Sequence, residues 1–116
     1  MVVAVARIAL SLPGVSSLKQ KRSIVRRVID RTSHQFNAAV AEVEDQDSHR
    51  RAVIGMAVIS SESKHANSMI DSVVEYAITT GASPVLEQST ELLHVSDHWG
   101  TNDRLPAWMH EDNSNA

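Results

Sequence analysis

No cysteine occurs among the 116 residues, so disulfides and thiolate-bound zinc or iron–sulfur centres are excluded, and nothing points to secretion. The expected compartment is the cytoplasm. Glycine and proline are also scarce, at four and three, and neither G-x-x-x-x-G-K nor G-x-G-x-x-G is present, which disfavours nucleotide hydrolysis. There is no apolar run long enough to span a bilayer. The opening Val2 to Leu12 is interrupted by Arg7 and lacks both a basic segment before it and a processing site after it, so no membrane partner is expected. The length suits one domain. With 42% hydrophobic and 22% charged residues, the chain has the composition of a soluble globular protein.

What is present is a marked division of charge. Residues 1 to 31 hold seven basic residues and one acid, net +6, whereas residues 32 to 116 hold four basic residues and thirteen acids, net −9. Such a molecule has a cationic side and an anionic side. Either the cationic side steers a polyanion, or the two sides pair within or between subunits, or a helix simply carries a solvated face.

The hydrophobic periodicity supplies the fold. From Val2 to Leu12 every even position is apolar, the period of a half-buried strand. Pro13-Gly14 marks a turn, and Ser16 or Ser17 can cap a helix over 18–33. Leu18, Val25, Val28, Ile29 and Thr32 share one side of that helix, while Lys19, Arg22, Arg26, Arg27 and Arg31 sweep out the other. Lys21 falls in the apolar arc, so its ammonium must snorkel past the helix end or meet a carboxylate. Phe36 to Glu44 reads as a second strand, followed by an acidic connection. Ala52 to Ile59, almost continuously apolar, reads as a central strand covered on both faces. Ala66, Met69, Ile70, Val73, Val74, Ala77 and Ile78 space a second helix that stops at Gly81, and Val85 to Val95 suits an edge strand.

This order predicts an α+β, ferredoxin-like βαββαβ domain over 1–95, a four-stranded antiparallel sheet with two helices on one face. The other face is expected to carry Val5, Arg7, Val40 and Glu42, with Arg7 and Glu42 as a cross-strand or intersubunit pair and a homodimer covering the rest. Residues 96–116 lose periodicity and form a polar C-terminal tail outside that core. Trp99, Leu105, Trp108 and Met109 give this tail apolar anchors for a neighbouring surface, the alternative being a frayed end.

No catalytic constellation is evident. His94, His98 and His110 offer imidazoles, but across a strand end and the tail; a calcium loop starting at Asp45 would need glycine and glutamate where Arg50 and Met56 stand. No metal, cofactor or small-molecule substrate is expected. An enzymatic site remains conceivable only around Lys21 with Glu42, Asp47 and His49, where a lysine on an apolar arc lies near carboxylates. The helix N-terminus after Gly14, with Lys19, Lys21 and Arg22 behind it, can attract an anion. The first and third strands contain no aromatic residue on which a base would stack. Nucleic acid is thus expected to meet the first helix through phosphates, by way of Lys19, Lys21, Arg22, Arg26, Arg27 and Arg31.

Leu12-Pro13-Gly14-Val15-Ser16-Ser17-Leu18-Lys19-Gln20-Lys21-Arg22 resembles the opening of the YlxP-like family of small bacterial proteins of unknown function. Phe36-Asn37 with Val40-Ala41-Glu42-Val43, then Asp47 with Arg51-Ala52 and Gly55, and Val58 to Ser60 with His65, are similar to its later segments. The chain departs from the pattern at His49-Arg50, where the family places an aromatic and a glutamine. The resemblance spans roughly residues 2 to 95 and implies a ferredoxin-like domain with no established activity. Family genes often neighbour those for translation initiation and ribosome maturation, which implies rRNA or the ribosome as partner. Two expectations follow: a non-enzymatic RNA- or ribosome-associated factor, or a homodimeric regulatory or scaffold module using the open sheet face.

Overall fold

The computed structural model describes residues 1–96. The elements run β1 (Val2–Ser11), α1 (Leu18–Gln35), β2 (Ala39–Glu44), β3 (Arg51–Ser60), α2 (Ser63–Gly81) and β4 (Val85–His94). All four strands pair antiparallel in the order β2-β3-β1-β4. This is the ferredoxin-like βαββαβ arrangement.

The even residues of β1 fall on one face of the sheet, where Val2, Ala4, Ala6, Ile8 and Leu10 are buried with Ile54, Met56 and Val58 of β3 and with Ile70, Val73, Val74 and Ala77 of α2. Leu12, Val15, Val25 and Ala52 close a second cluster at the start of α1. Ser17 caps α1 through its side chain, which accepts from the Gln20 N–H at 3.1 Å. At the far end the Phe36 N–H reaches the Thr32 carbonyl, and the Phe36 ring meets Tyr76 of α2 edge-on, with ring centres 5.5 Å apart.

Gly81 ends α2, as its position suggests, but for a different reason from that usual in helix ends. A Cβ there would come within 3.0 Å of Leu10 Cδ1, so the glycine serves close packing. The left-handed residue is Ala82, at φ 49°.

Two strand expectations are corrected. β3 is covered by helices on one face only, and Ile59 on the other is 65% exposed. Its continuous apolar run arises because Val53 and its neighbour Ala9 are fully buried on the open face as well. β2 starts at Ala39, later than the apolar pattern suggests, and it carries a bulge: Glu42 lies opposite Ile54 and Glu44 opposite Val53, leaving Val43 as the extra residue. Gly55 accommodates that bulge, since a Cβ there would sit 2.9 Å from Val43 Cγ1.

Candidate functional site

The bulge at Val43 determines where charge goes. In a regular strand residues two apart share a face; here the extra residue sends Glu42 to the helix side, opposite core residue Ile54, and Glu44 to the open side, opposite Val53. Each carboxylate meets a cation. On the helix side Lys21, fully buried, places Nζ 2.7 Å from Glu42 Oε2 and donates to the Asp45 carbonyl. No donor is aligned on Glu42 Oε2 for a hydrogen bond, so this contact is held by charge, and the aligned hydrogen bond is the one to Asp45. Asp45 takes a left-handed backbone, φ 55°, a conformation that aspartate tolerates better than most residues. Its carbonyl also accepts from the Ser48 N–H at 3.0 Å.

On the open side, five charged side chains join all the strands across one end of the sheet. Arg7 forks onto Glu44, Nε at 2.9 Å and Nη2 at 3.0 Å, and reaches Glu87 at 2.9 Å. Arg51 bridges Asp45 at 2.8 Å and Glu87 at 2.9 Å. The hydrogen bonds from Arg7 hold the Glu44 carboxyl below the usual carboxylate range, and those from Arg7 and Arg51 do the same to Glu87; the two carboxylates in turn hold the Arg7 guanidinium charged at still higher pH. Glu87, Ala9, Val53 and Glu44 form one row across the sheet, with Arg7 and Arg51 on either side of it. The network thus roofs Ala9 and Val53, which explains burial on a face that has no helix.

Three predicted site residues are therefore relocated. Lys21 is buried and ion-paired, so it cannot contact phosphate as expected. Val40 and Glu42 lie on the helix-covered face, opposite Met56 and Ile54, and do not line the open face as a dimer surface. The expected partner of Arg7 is replaced by Glu44 and Glu87. The proposed cluster of Lys21, Glu42, Asp47 and His49 is also not assembled: Lys21 meets Glu42, but no hydrogen bond or ion pair joins Asp47 or His49 to them among the described residues. The acidic connection is an anchoring turn, with Asp45 holding a cation on each side of the sheet. The Lys21 position in the apolar arc was the available signal for its carboxylate partner.

The remaining predicted cations stay together. Lys19, Arg22, Arg26, Arg27 and Arg31 are exposed on α1, and none forms an ion pair with a described residue. Lys19, Arg22, Ser23, Arg26, Arg27 and Asp30 line a shallow depression of about 450 Å³. The face is electrostatically unfavourable for the helix. Arg22 and Arg26, and Arg27 and Arg31, are like charges four residues apart; the first turn contains Lys19 but no acid to complement the positive dipole end. The N-terminal groups themselves are partly used, the Gln20 N–H by Ser17 Oγ and the Lys21 N–H by the Ser17 carbonyl, so an anion has the side chains more than the helix end to bind.

Among the described residues no group of three or more metal-ligating side chains occurs. His94 donates to or accepts from Ser63 Oγ at 2.8 Å, while His98 and His110 lie outside the described residues. No described helix is long and apolar enough to cross a membrane.

A solved structure titled as a putative chlorite dismutase superposes with a TM-score of 0.53 at 12% identity, covering 90% of this chain and 50% of that one. At such identity the likeness shows the fold alone. A de novo designed protein with ferredoxin fold matches with a TM-score of 0.46 at 18% identity, over 85% of this chain and 91% of that one. In sequence, the uncharacterized protein YlxP of Bacillus subtilis (strain 168) is 38% identical over 45 residues, 39% of this chain. The chain spans about half, 49%, of that curated relative. The family described as "Protein of unknown function (DUF503)" matches residues 3–89, from β1 into β4. The chain belongs to this family of proteins of unknown function, of YlxP-like character and bacterial occurrence.

Proposed function

We propose that the protein is a non-enzymatic, RNA- or ribosome-associated factor of the cytoplasm that binds phosphates through the outer face of α1. One observation carries this reading: five exposed cations share a helix face and none forms an ion pair with a described residue, whereas Arg7, Lys21 and Arg51 are each fully engaged. A bound polyanion relieves the like-charge spacing and complements the helix dipole. The binding is nearly blind to sequence, because guanidinium contacts to phosphates carry no base information, and the open sheet face offers no aromatic side chain for stacking.

Part of the negative charge in the rest of the chain is directed away from α1. Glu44, Asp45 and Glu87 are paired with Arg7 and Arg51 on the opposite side of the sheet, three carboxylates against two guanidiniums. The same pairing weakens the alternative in which the basic helix of one copy meets the acidic connection of another, since that connection has committed much of its charge internally. Affinity for ribosomal subunits and bulk RNA, measured at about 50 and 200 mM salt, should fall on the order of a hundredfold for five contacts. Arg22→Glu/Arg26→Glu should abolish it while the circular dichroism of the fold persists; no binding at low salt rejects the reading.

A further inference from the structure

We propose that the segment after Ser96, through Trp99 and Trp108, docks on the apolar half of the open sheet face of its own chain. That face has two unlike halves. One is roofed by the Arg7 and Arg51 network; beside it, with Arg7 on the shared border, Val5, Ala39, Ala41, Val43, Gly55 and Ala57 line a shallow trough of about 660 Å³. Ile59, 65% exposed, and Leu93, 44% exposed, lie beside it, both opposite Val3. A contiguous apolar surface of this kind on a single domain marks something that covers it, and its small floor residues leave room for bulky rings.

The chain itself delivers those rings. β4 runs toward the apolar end of the face, and the Val95 N–H is fixed to the Met1 carbonyl at 2.9 Å, so the following segment starts at the border of the trough. Trp99 lies three residues beyond Ser96, within about 10 Å of it, and Trp108 within about 40 Å along the extended chain. Four strands span only about 15 Å, so Trp108 reaches every part of the trough, while Trp99 reaches the β4 side of it. Leu105 and Met109 supply further apolar side chains in an otherwise polar stretch. A tethered segment faces the trough at an effective concentration in the millimolar range, well above that of a second copy at micromolar concentration. Ser89 and Glu91 on the trough's border can accept from indole N–H groups.

The composition makes the test direct, because Trp99 and Trp108 are the two tryptophans of the protein. Selectively excited tryptophan emission of the full chain reports on this segment. It should be blue-shifted relative to a free tryptophan peptide and poorly quenched by acrylamide, at all protein concentrations. Ile59→Glu and Ala41→Glu, both at exposed positions, should move the emission toward that of the free peptide and raise the quenching constant several-fold, with the far-ultraviolet circular dichroism unchanged. Arg22→Glu/Arg26→Glu should leave the emission as it is. Solvent-like emission in the unmodified protein overturns the proposal, as does emission indifferent to Ile59→Glu and Ala41→Glu. Protection that appears only as a dimer forms with rising concentration also overturns it, and assigns the face to a second copy.

Discussion

The β2 end of the sheet and the outer surface of α1 both carry several cations, yet one region spends them and the other does not. Lys21 is buried against Glu42 and the Asp45 carbonyl, and Arg7 and Arg51 tie Glu44, Asp45 and Glu87 across the opposite face. On α1, Lys19, Arg22, Arg26, Arg27 and Arg31 are exposed and form no ion pair among the described residues. Net charge along the sequence therefore overstates the free positive surface: what matters is how much positive charge remains after the fold has used its share. Within β2 the contrast recurs on a smaller scale, because one bulge divides Glu42 and Glu44 between a dry environment and a wet one.

The dry pair gives the largest expected effect. Glu42→Ala leaves Lys21 buried with only a carbonyl for company, and should cost about 3–5 kcal/mol in urea unfolding. Lys21→Met/Glu42→Leu, which removes both charges and keeps the volume, should recover most of that loss. A double variant as unstable as the single one would show that Lys21 is held chiefly by Asp45, and not by Glu42. Gly55→Ala attacks the bulge itself, since the new methyl meets Val43 Cγ1; the expected cost is about 1–3 kcal/mol, largely suppressed by adding Val43→Ala.

The exposed network should yield the smallest effect and a pH signature. Because Glu44 and Glu87 are held below their ordinary value of 4.5 in the folded protein, the stabilisation is complete above that value. As pH falls, the unfolded chain binds protons first, and the contribution disappears as pH passes through the lowered folded values. Glu44→Gln should thus lower the melting temperature slightly at neutral pH and flatten its decline below about pH 4.5. An acid limb unchanged by Glu44→Gln would locate the pH dependence elsewhere.

Much of this was legible in the sequence. Period two in β1, the amphipathic α1 with its serine cap, and the spacing of α2 lead to the observed order of elements, because each rests on a long pattern. The phase of β2 was not legible. Its alternation sets Ala39, Ala41 and Val43 against Val40, Glu42 and Glu44, which points the more apolar side toward the core, yet Val40 and Glu42 face the helices, and the bulge that follows depends on Gly55 of a different strand. The free face of α1 was legible as a set but for Lys21, whose place in the apolar arc already required the carboxylate that Glu42 provides. Burial of Ala9 and Val53 beneath ion pairs was not legible, since it arises from side chains of four strands meeting in space.

The central claim is that α1's unpaired cations, and not the engaged ones, form the binding surface. The most direct test is one RNA titration at about 50 mM salt on three proteins: the native chain, Arg22→Glu/Arg26→Glu, and Arg7→Gln. Loss of binding in the double reversal, with Arg7→Gln close to native, is the predicted result. Equal losses in both variants, or none in either, would contradict it.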